Sequence, residues 1–369
     1  MKILEVIPFL SQGGGQRFVV DLCNELIENN DITLVVLMPL DKYGDYLPEL
    51  SNKVKVVSLN KKLGKDLTLF KRMADVVKAE SPDIVHTHLR AIYYLSLSIM
   101  TNRKPIYIHT VHNDAFIESG ERIGLIMRKL FFKYKLVIPI TISSSSQQSF
   151  KECYHMDSKL IENGRPLYTP NVDLIKKAKD ELNKKRIHKD STIILNVARI
   201  SKQKNQIALA EAIKLINAKN EKKVEAFILG IVSDNDYSKA LDGYITPEFH
   251  CLGMRENPRD YMAASDAFCL SSIFEGMPIT LIECFSVGKI PICTPVGGTV
   301  DMIKDNKNGL LTEGTTSKDI QNCLQRFLSM SQKEKEEMEK ESKQSFGRYS
   351  MSVCADKYSA FMNQLIIEK

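Results

Sequence analysis

Phe274-Glu275-Gly276-Met277-Pro278-Ile279-Thr280-Leu281-Ile282-Glu283 lies between two short apolar runs, 267–270 and 290–294, that read as strands. Gly276 permits a sharp turn. Pro278 suits the first residue of a helix, because its φ is already helical and its missing N–H is not needed there. Gly288 stops the helix. The segment is therefore a strand–turn–helix–strand unit, the building block of a parallel sheet. Glu275 falls in the loop at the helix mouth and Glu283 in the first turns inside. Between them the helix N-terminus offers free backbone N–H groups, which suit phosphate. Carboxylates accept hydrogen bonds from sugar or ribose hydroxyls. Together they point to a ligand both hydroxylated and phosphorylated, such as a nucleotide-sugar.

The same alternation extends in both directions. In the N-terminal half β-branched runs at 3–7, 32–38, 54–59, 84–86, 106–109 and 137–142 alternate with helical stretches such as 15–29 and 67–80. A second series follows at 192–197, 226–229, 250–252, 267–270 and 290–294, and 331–369 is charged and helical. This βαβ rhythm predicts an α/β chain of two doubly wound, Rossmann-like domains facing across a cleft, with ligands at the carboxyl ends of the strands. Between the series, 163–190 breaks the rhythm with Gly164, Pro166, Pro170 and a Lys-rich run. The predicted layout is an N-terminal domain 1–165, a linker 166–190, a second domain 191–345 and a C-terminal helical segment 346–369.

At 369 residues, two domains are the natural division. A net charge of +6 is mild for this length and argues against nucleic acid, which wants a concentrated basic face. The eight cysteines are scattered, mostly in apolar runs, without a C-x-x-C pair, and read as reduced core residues of a cytoplasmic protein. Met1-Lys2 leads directly into Ile-Leu-Glu-Val-Ile-Pro, too short and wrongly flanked for a signal peptide. No apolar run approaches the roughly 20 residues of a membrane span, so any membrane contact is peripheral, on the inner face.

Four further stretches carry chemistry, each with a plainer reading beside it. Gly13-Gly14-Gly15 follows the first strand and lets backbone N–H groups approach a phosphate or sugar; it also suits a plain tight turn. It is not G-x-G-x-x-G, and the next strand ends Val-Leu-Met-Pro without the acidic residue a dinucleotide ribose requires. Arg199 and Lys204 lie beyond the first strand of the second domain, where two cations can neutralise a diphosphate, although loop cations are commonly just solvated. His112 ends a strand beside His109. We expect His112 to face a sugar and His109, His86 and His88 to be structural, with no metal held. Asp234-Asn235-Asp236 resembles a metal-binding D-x-D, but Asp234 reads better as a helix cap. Finally, 121–135 interleaves Arg122, Arg128, Lys129, Lys133 and Lys135 with Ile123, Leu125, Ile126, Leu130, Phe131 and Phe132. That suits a helix on an anionic membrane, joined by Lys61, Lys62, Lys65, Lys71 and Arg72, or an ordinary sheet-covering helix, or both.

Glu275 and Glu283, Arg199 and Lys204, the glycine turn, Thr110-Val111-His112, Asn163-Gly164 and the run from Ala264 to Gly298 together resemble the retaining nucleotide-sugar glycosyltransferases of family four, fold GT-B, over nearly the whole chain. The resemblance implies an acceptor-binding first domain, a donor-binding second domain, and a C-terminal helix crossing back to the first. It implies that Arg199 and Lys204 bind the donor diphosphate and Glu283 the ribose. Glu275, with amides near Gly276, Met277 and Pro278, would hold the sugar hydroxyls. Amides near Thr280 and Leu281 would face phosphate, His112 the anomeric centre, and Gly14 and Gly15 the donor or acceptor. No metal or other cofactor is implied. Two places depart from the family pattern: Thr299-Val300-Asp301 stands after Gly297-Gly298 where Ile-Pro-Glu is usual, and Arg165-Pro166 after Asn163-Gly164 where Val-Asp is usual. The expected activity is retaining, metal-independent transfer of a hexose or N-acetylhexosamine from a nucleotide-diphosphate sugar, UDP favoured, to a lipid-linked glycan in surface polysaccharide synthesis. The alternatives are a non-catalytic sugar-nucleotide-binding partner of a transferase and a sugar-nucleotide epimerase.

Overall fold

The computed structural model describes residues 1–369 apart from 63, 65, 121, 220 and 222. The chain forms two compact units, Met1–Pro166 with Tyr349–Lys369, and Leu167–Arg348. Each is a parallel sheet with helices between successive strands.

Among the described residues unit 1 holds seven strands: β1 Lys2–Ile7, β2 Asp31–Val36, β3 Lys55–Ser58, β4 Ile84–His88, β5 Ile106–Val111, β6 Ile138–Thr141 and β7 Lys159–Leu160. Their order is β3-β2-β1-β4-β5-β6-β7. β1 pairs with β2 from Lys2↔Asp31 to Ile7↔Val36, and with β4 from Ile3↔Ile84 to Val6↔Thr87. Both central strands are buried along nearly their whole length, as expected where helices cover both faces. The helix Met351–Ile367 belongs to this unit and packs on the helix Gly14–Leu26. Arg165 fastens the return: its N–H donates to Tyr349 O (3.0 Å) and its C=O accepts from Met351 N–H (2.8 Å). Its guanidinium pairs with Asp21, both side chains buried. A buried partner thus accounts for one departure from the family pattern.

Unit 2 holds β8 Thr192–Val197, β9 Val224–Leu229, β10 Phe249–Gly253, β11 Ala267–Leu270, β12 Pro291–Cys293 and β13 Leu310–Leu311, in the order β10-β9-β8-β11-β12-β13. β8 and β9 pair over six residues, Thr192↔Val224 to Val197↔Leu229. Leu209, Ile213 and Ile216 of the helix Gln206–Asn217 meet Cys323, Leu324 and Phe327 of the helix Ser317–Ser329 in one core.

Two features differ from the sequence reading. The stretch 166–190, expected as a linker, contains the helix Val172–Lys185, capped by the Asn171 side chain. It packs on the helix Pro258–Ala264, burying Ala178 and Leu182, while Glu181 pairs with Arg255 at 2.5 Å. Its lysines are the solvent side of an amphipathic helix. β7 and β13 were not anticipated, because two residues carry no periodicity. The eight cysteines are all free, and six are buried.

Candidate functional site

In unit 2 the strand order reverses between β8 and β11, since successive strands run outward from β8 on one side and from β11 on the other. Loops leaving the carboxyl ends of two such strands diverge and leave a crevice for ligand. The loop after β8 carries Arg199 and Lys204; the loop after β11 carries Ser271 to Pro278. Hydrogen bonds tie the two together. Ser271 Oγ donates to Lys204 O at 2.8 Å, Ile273 N to Gln203 O at 2.8 Å, and Gln203 Nε2 to Phe274 O at 3.1 Å.

Lys204 Nζ lies 2.6 Å from Glu275 Oε1, and Ser272 Oγ donates to the same oxygen at 2.5 Å. The side chains of Lys204 and Glu275 are 15% and 7% exposed. Sequence reading assigned them separate contacts, but here they form one largely enclosed pair. An ammonium has three N–H donors, so two remain for an incoming anion. Arg199, in contrast, is exposed; its backbone carbonyl accepts from Gln206 Nε2 at 2.9 Å, but among the described residues its guanidinium makes no hydrogen bond or ion pair. It is a free fork at the same edge.

The helix Ile279–Val287 starts one residue later than expected. Pro278 has φ −71° and ψ 118°, so it is the extended N-cap and not the first helical residue. Leu281 N–H turns back to Pro278 O at 3.1 Å, which removes Leu281 from the amides expected to face phosphate. The amides of Ile279 and Thr280 make no hydrogen bond among the described residues and remain available there. Glu283 is buried on this helix, and Gly288 ends it at φ 81°. Gly297 also approaches the site: at φ +54° it lies against the Glu275 carbonyl, where a Cβ would stand 1.7 Å from the oxygen. Gly298 N–H donates to Gly276 O at 2.8 Å. Thr299, the second departure from the family pattern, supports this turn: its hydroxyl accepts from Val296 N–H at 2.9 Å and lies 2.7 Å from Thr294 O. The Asp234 side chain accepts from Tyr237 N–H at 3.0 Å, the cap that its sequence position suggested.

Unit 1 has its own reversal between β1 and β4. Gly13 is the N-cap of the helix Gly14–Leu26, and a Cβ on Gly15 would stand 3.7 Å from His112 Cγ and 3.7 Å from Leu89 Cδ2. The glycine turn and His112 are therefore neighbours. His109 and His112 diverge because they sit an odd number of residues apart at a strand end. His109 is fully buried on one face with Arg128 and Glu118, and its Nε2 lies 3.3 Å from Glu118 Oε1 without hydrogen-bond geometry. Glu118 accepts from His112 N–H at 2.6 Å and from Arg128 at 3.3 Å. Burial acts to raise the Glu118 carboxyl, but His109 and Arg128 outweigh it and hold it at about 2. Burial lowers His109 to about 4. It does the same for the half-buried His112, with Glu118 opposing. Glu5 and Glu118 were missed as neighbours of His112. Only Glu5 had a signal, a lone charge in the apolar run Ile3–Ile7.

The basic helix is corrected in part. The helix Arg122–Lys133 buries Arg128, Phe131 and Phe132 toward the sheet. Arg128 therefore leaves the proposed membrane patch, and Arg72 is engaged with Asp66 at 2.6 Å. The outer side of the helix shows Ile123, Ile126 and Leu130 beside exposed Arg122, Lys129 and Lys133. Lys65 and Glu121, also part of that reading, lie outside the described residues. No helix among the described residues is long and apolar enough to cross a membrane.

Comparison with known proteins bears on this geometry. The family model for glycosyltransferase family 4 matches residues 12–167, and that for glycosyl transferases group 1 matches residues 177–345. The UDP-Gal:alpha-D-GlcNAc-diphosphoundecaprenol alpha-1,3-galactosyltransferase of Escherichia coli is 28% identical over 339 residues, covering 84% of this chain and 83% of its own. A Campylobacter jejuni alpha-1,4-N-acetyl-D-galactosaminyltransferase, named for a GalNAc-containing diNAcBac-PP-undecaprenol substrate, is 24% identical over 325 residues, 84% of each chain. Among solved structures, Anabaena HepE in complex with UDP and glucose superposes with a TM-score of 0.83 at 18% identity, over 99% of this chain and 100% of that one. Sucrose-phosphate synthase from Thermosynechococcus elongatus gives 0.83 at 15% identity, over 100% of each chain. With both family models matched in order along two Rossmann-like units, the chain belongs to the family-four glycosyltransferases of the GT-B fold.

Proposed function

We propose that this glycosyltransferase moves a hexose or N-acetylhexosamine from a UDP-sugar to an undecaprenyl-diphosphate-linked glycan, with retention at the anomeric carbon and without a metal. The observation that carries this reading is the Lys204–Glu275 pair at the strand-order reversal of unit 2, beside the open amides of Ile279 and Thr280. Arg199, the two remaining N–H donors of Lys204 and these amides bind the diphosphate. Glu283 takes the ribose hydroxyls, and Glu275 the hydroxyls of the transferred sugar. As the C1–O bond lengthens, charge collects on the departing diphosphate, where cations and amides fixed in advance stabilise it. The acceptor hydroxyl attacks from the same face and passes its proton to the leaving phosphate. Capping by Asp234 supports charge neutralisation by side-chain cations in place of a D-x-D metal. The relatives named for undecaprenyl-linked substrates support the acceptor class. Exposed Ile123, Ile126 and Leu130 among basic residues suit the surface where such a lipid resides.

The test incubates purified protein with UDP-galactose, UDP-N-acetylgalactosamine and UDP-glucose, EDTA present, and an undecaprenyl-linked oligosaccharide extract. UDP release that depends on acceptor, vanishes in Glu283→Ala and yields an α-linked product is expected. UDP release only after a divalent cation is restored refutes the metal-free reading. Thermal stabilisation by a donor without turnover on any acceptor points to a binding partner, and an altered sugar without acceptor points to an epimerase.

A further inference from the structure

A charged residue at the centre of a buried parallel sheet needs a partner for each of its lone-pair faces. Glu5, in the middle of β1, is completely buried. Its Oε1 lies 3.1 Å from His86 Nδ1 and its Oε2 lies 2.8 Å from His88 Nε2. The strand register explains the grouping. Glu5 pairs with His86 across β1 and β4, His88 with Thr110 across β4 and β5, and alternation puts all four on one face of the sheet. The chain of contacts then continues both ways. His86 Nε2 lies 2.7 Å from Thr110 Oγ1, which lies 2.9 Å from Tyr358 Oη. His88 Nδ1 lies 2.9 Å from His112 Nε2.

The proton positions follow from the ends inward. A carboxylate only accepts, so His86 Nδ1 and His88 Nε2 both carry protons. Two facing ring nitrogens 2.9 Å apart share one proton. Enclosure keeps the His88 ring neutral, with burial acting first and His86 second to hold it well below the ordinary imidazole range, although Glu5 opposes. A neutral His88 protonated at Nε2 has a bare Nδ1. The proton between the rings therefore sits on His112 Nε2, and His112 in turn has a bare Nδ1. That atom would lie 3.8 Å from a Cβ on Gly15, at the edge of the glycine turn.

We propose that Glu5 and His88 are positioning residues that fix His112 in one tautomer, protonated at Nε2, so that it presents Nδ1 to the Gly13–Gly15 turn as a hydrogen-bond acceptor for a sugar hydroxyl. The hydroxyl ligand rests on the function proposed above, whereas the tautomer does not. A bare Nδ1 accepts from a polyol and repels a phosphate oxygen, so this edge favours the sugar portion of a ligand. The titratable groups around His112 are His88, His86, Glu5, His109 and Glu118.

The same three residues, Glu5, His86 and His88, hold ligand-type atoms within 4.8 Å of one another and so form a rival metal cluster. Each of those atoms already has a hydrogen-bond partner within the group, which accounts for the geometry without an ion.

The first experiment needs no substrate and reads the tautomer in the unmutated protein. Histidine-selective 15N labelling and two-bond 15N–1H correlation spectra report the tautomer of each ring, with His112 assigned by its loss in His112→Asn. We expect His112 protonated at Nε2 and bare at Nδ1, unchanged from pH 8 to about pH 5. A ring protonated at Nδ1, a rapidly exchanging mixture, or one equivalent of zinc in the purified protein overturns the proposal. Two variants at position 88 then separate positioning from packing. Gln carries both a donor and an acceptor, so His88→Gln should retain the His112 tautomer and turnover within about threefold. His88→Phe should release the tautomer and lower kcat at least tenfold with KM for the donor little changed. Equal losses in both variants indicate packing alone and refute positioning. The fixed tautomer in a protein that shows no transferase activity leaves the relay standing and removes the proposed function instead.

Discussion

Lys204→Ala tests the unit 2 site most directly, because the structure predicts two effects that a second variant separates. The substitution leaves Glu275, only 7% exposed at its side chain, with Ser272 as its hydrogen-bond donor. Breaking a fully buried ion pair by removing one partner costs about 3–5 kcal/mol. Lys204 is 15% exposed and Ser272 retains one bond, so the expected cost here is about 2 kcal/mol. For a unit of this size that lowers its thermal transition by about 4–8 °C. The catalytic loss is separate. Removing one fixed electrostatic contact to a developing oxyanion costs about 100- to 1,000-fold in kcat. The double variant Lys204→Met with Glu275→Gln leaves no buried charge and should regain most of the transition temperature while activity stays low. Calorimetry measures the first quantity and UDP release the second. If activity returns with stability in the double variant, the pair is structural and its assignment to the diphosphate and sugar is wrong.

Three further outcomes follow from the geometry. Gly297→Ala places a Cβ 1.7 Å from the Glu275 carbonyl at a positive φ, so the turn must move; calorimetry should show unit 2 destabilised by at least about 2 kcal/mol, and an unchanged melt contradicts the turn geometry. The histidines depressed in the fold make unit 1 acid-sensitive, and His109 is the clearest case. His109 is held at about 4 against an ordinary 6.5, so the unfolded chain takes the proton first and stability falls as pH drops from 6.5 to 4, by up to about 3 kcal/mol. Glu118, held at about 2, extends the loss as pH falls from 4.5 toward 2. Thermal melts across this range check the sign, and stability that rises between pH 6.5 and 4 is incompatible with it. Replacing Ile123, Ile126 and Leu130 together by Ser should leave the fold intact, since all three are exposed, and weaken sedimentation with anionic vesicles by about tenfold or more; unchanged sedimentation removes the helix from membrane binding.

Much of this molecule was legible in its sequence. Apolar runs bounded by glycine and proline announced most strands of both sheets, because a strand buried on both faces must be apolar along its length. The order of those runs implied two parallel sheets, since short helical connections return the chain in the same direction. Glu275 stood out beside the Gly276–Pro278 turn and Glu283 in the helix behind it, and Arg199 and Lys204, beyond the end of a strand, gained meaning only together with that carboxylate pair. Asp234 was readable as a cap from its position before a helix.

Other features were decided only by tertiary structure. No local pattern says that Lys204 and Glu275 share an oxygen-to-ammonium contact, since they lie 71 residues apart and meet only because β8 and β11 are neighbours. Arg128 had the spacing of a surface cation, yet the packing of its helix turns it inward onto Glu118 and the Leu89 carbonyl. The amide of Leu281 was expected to be open, but the extended backbone at Pro278 delays the helix by one residue and the first turn consumes it. The link from Glu5 through His88 to His112 depends on the register of three strands. Side-chain chemistry and period are local properties and can be read along a chain. Which polar groups come within 3 Å of one another depends on strand order and register, and those are settled only when the whole sheet is assembled.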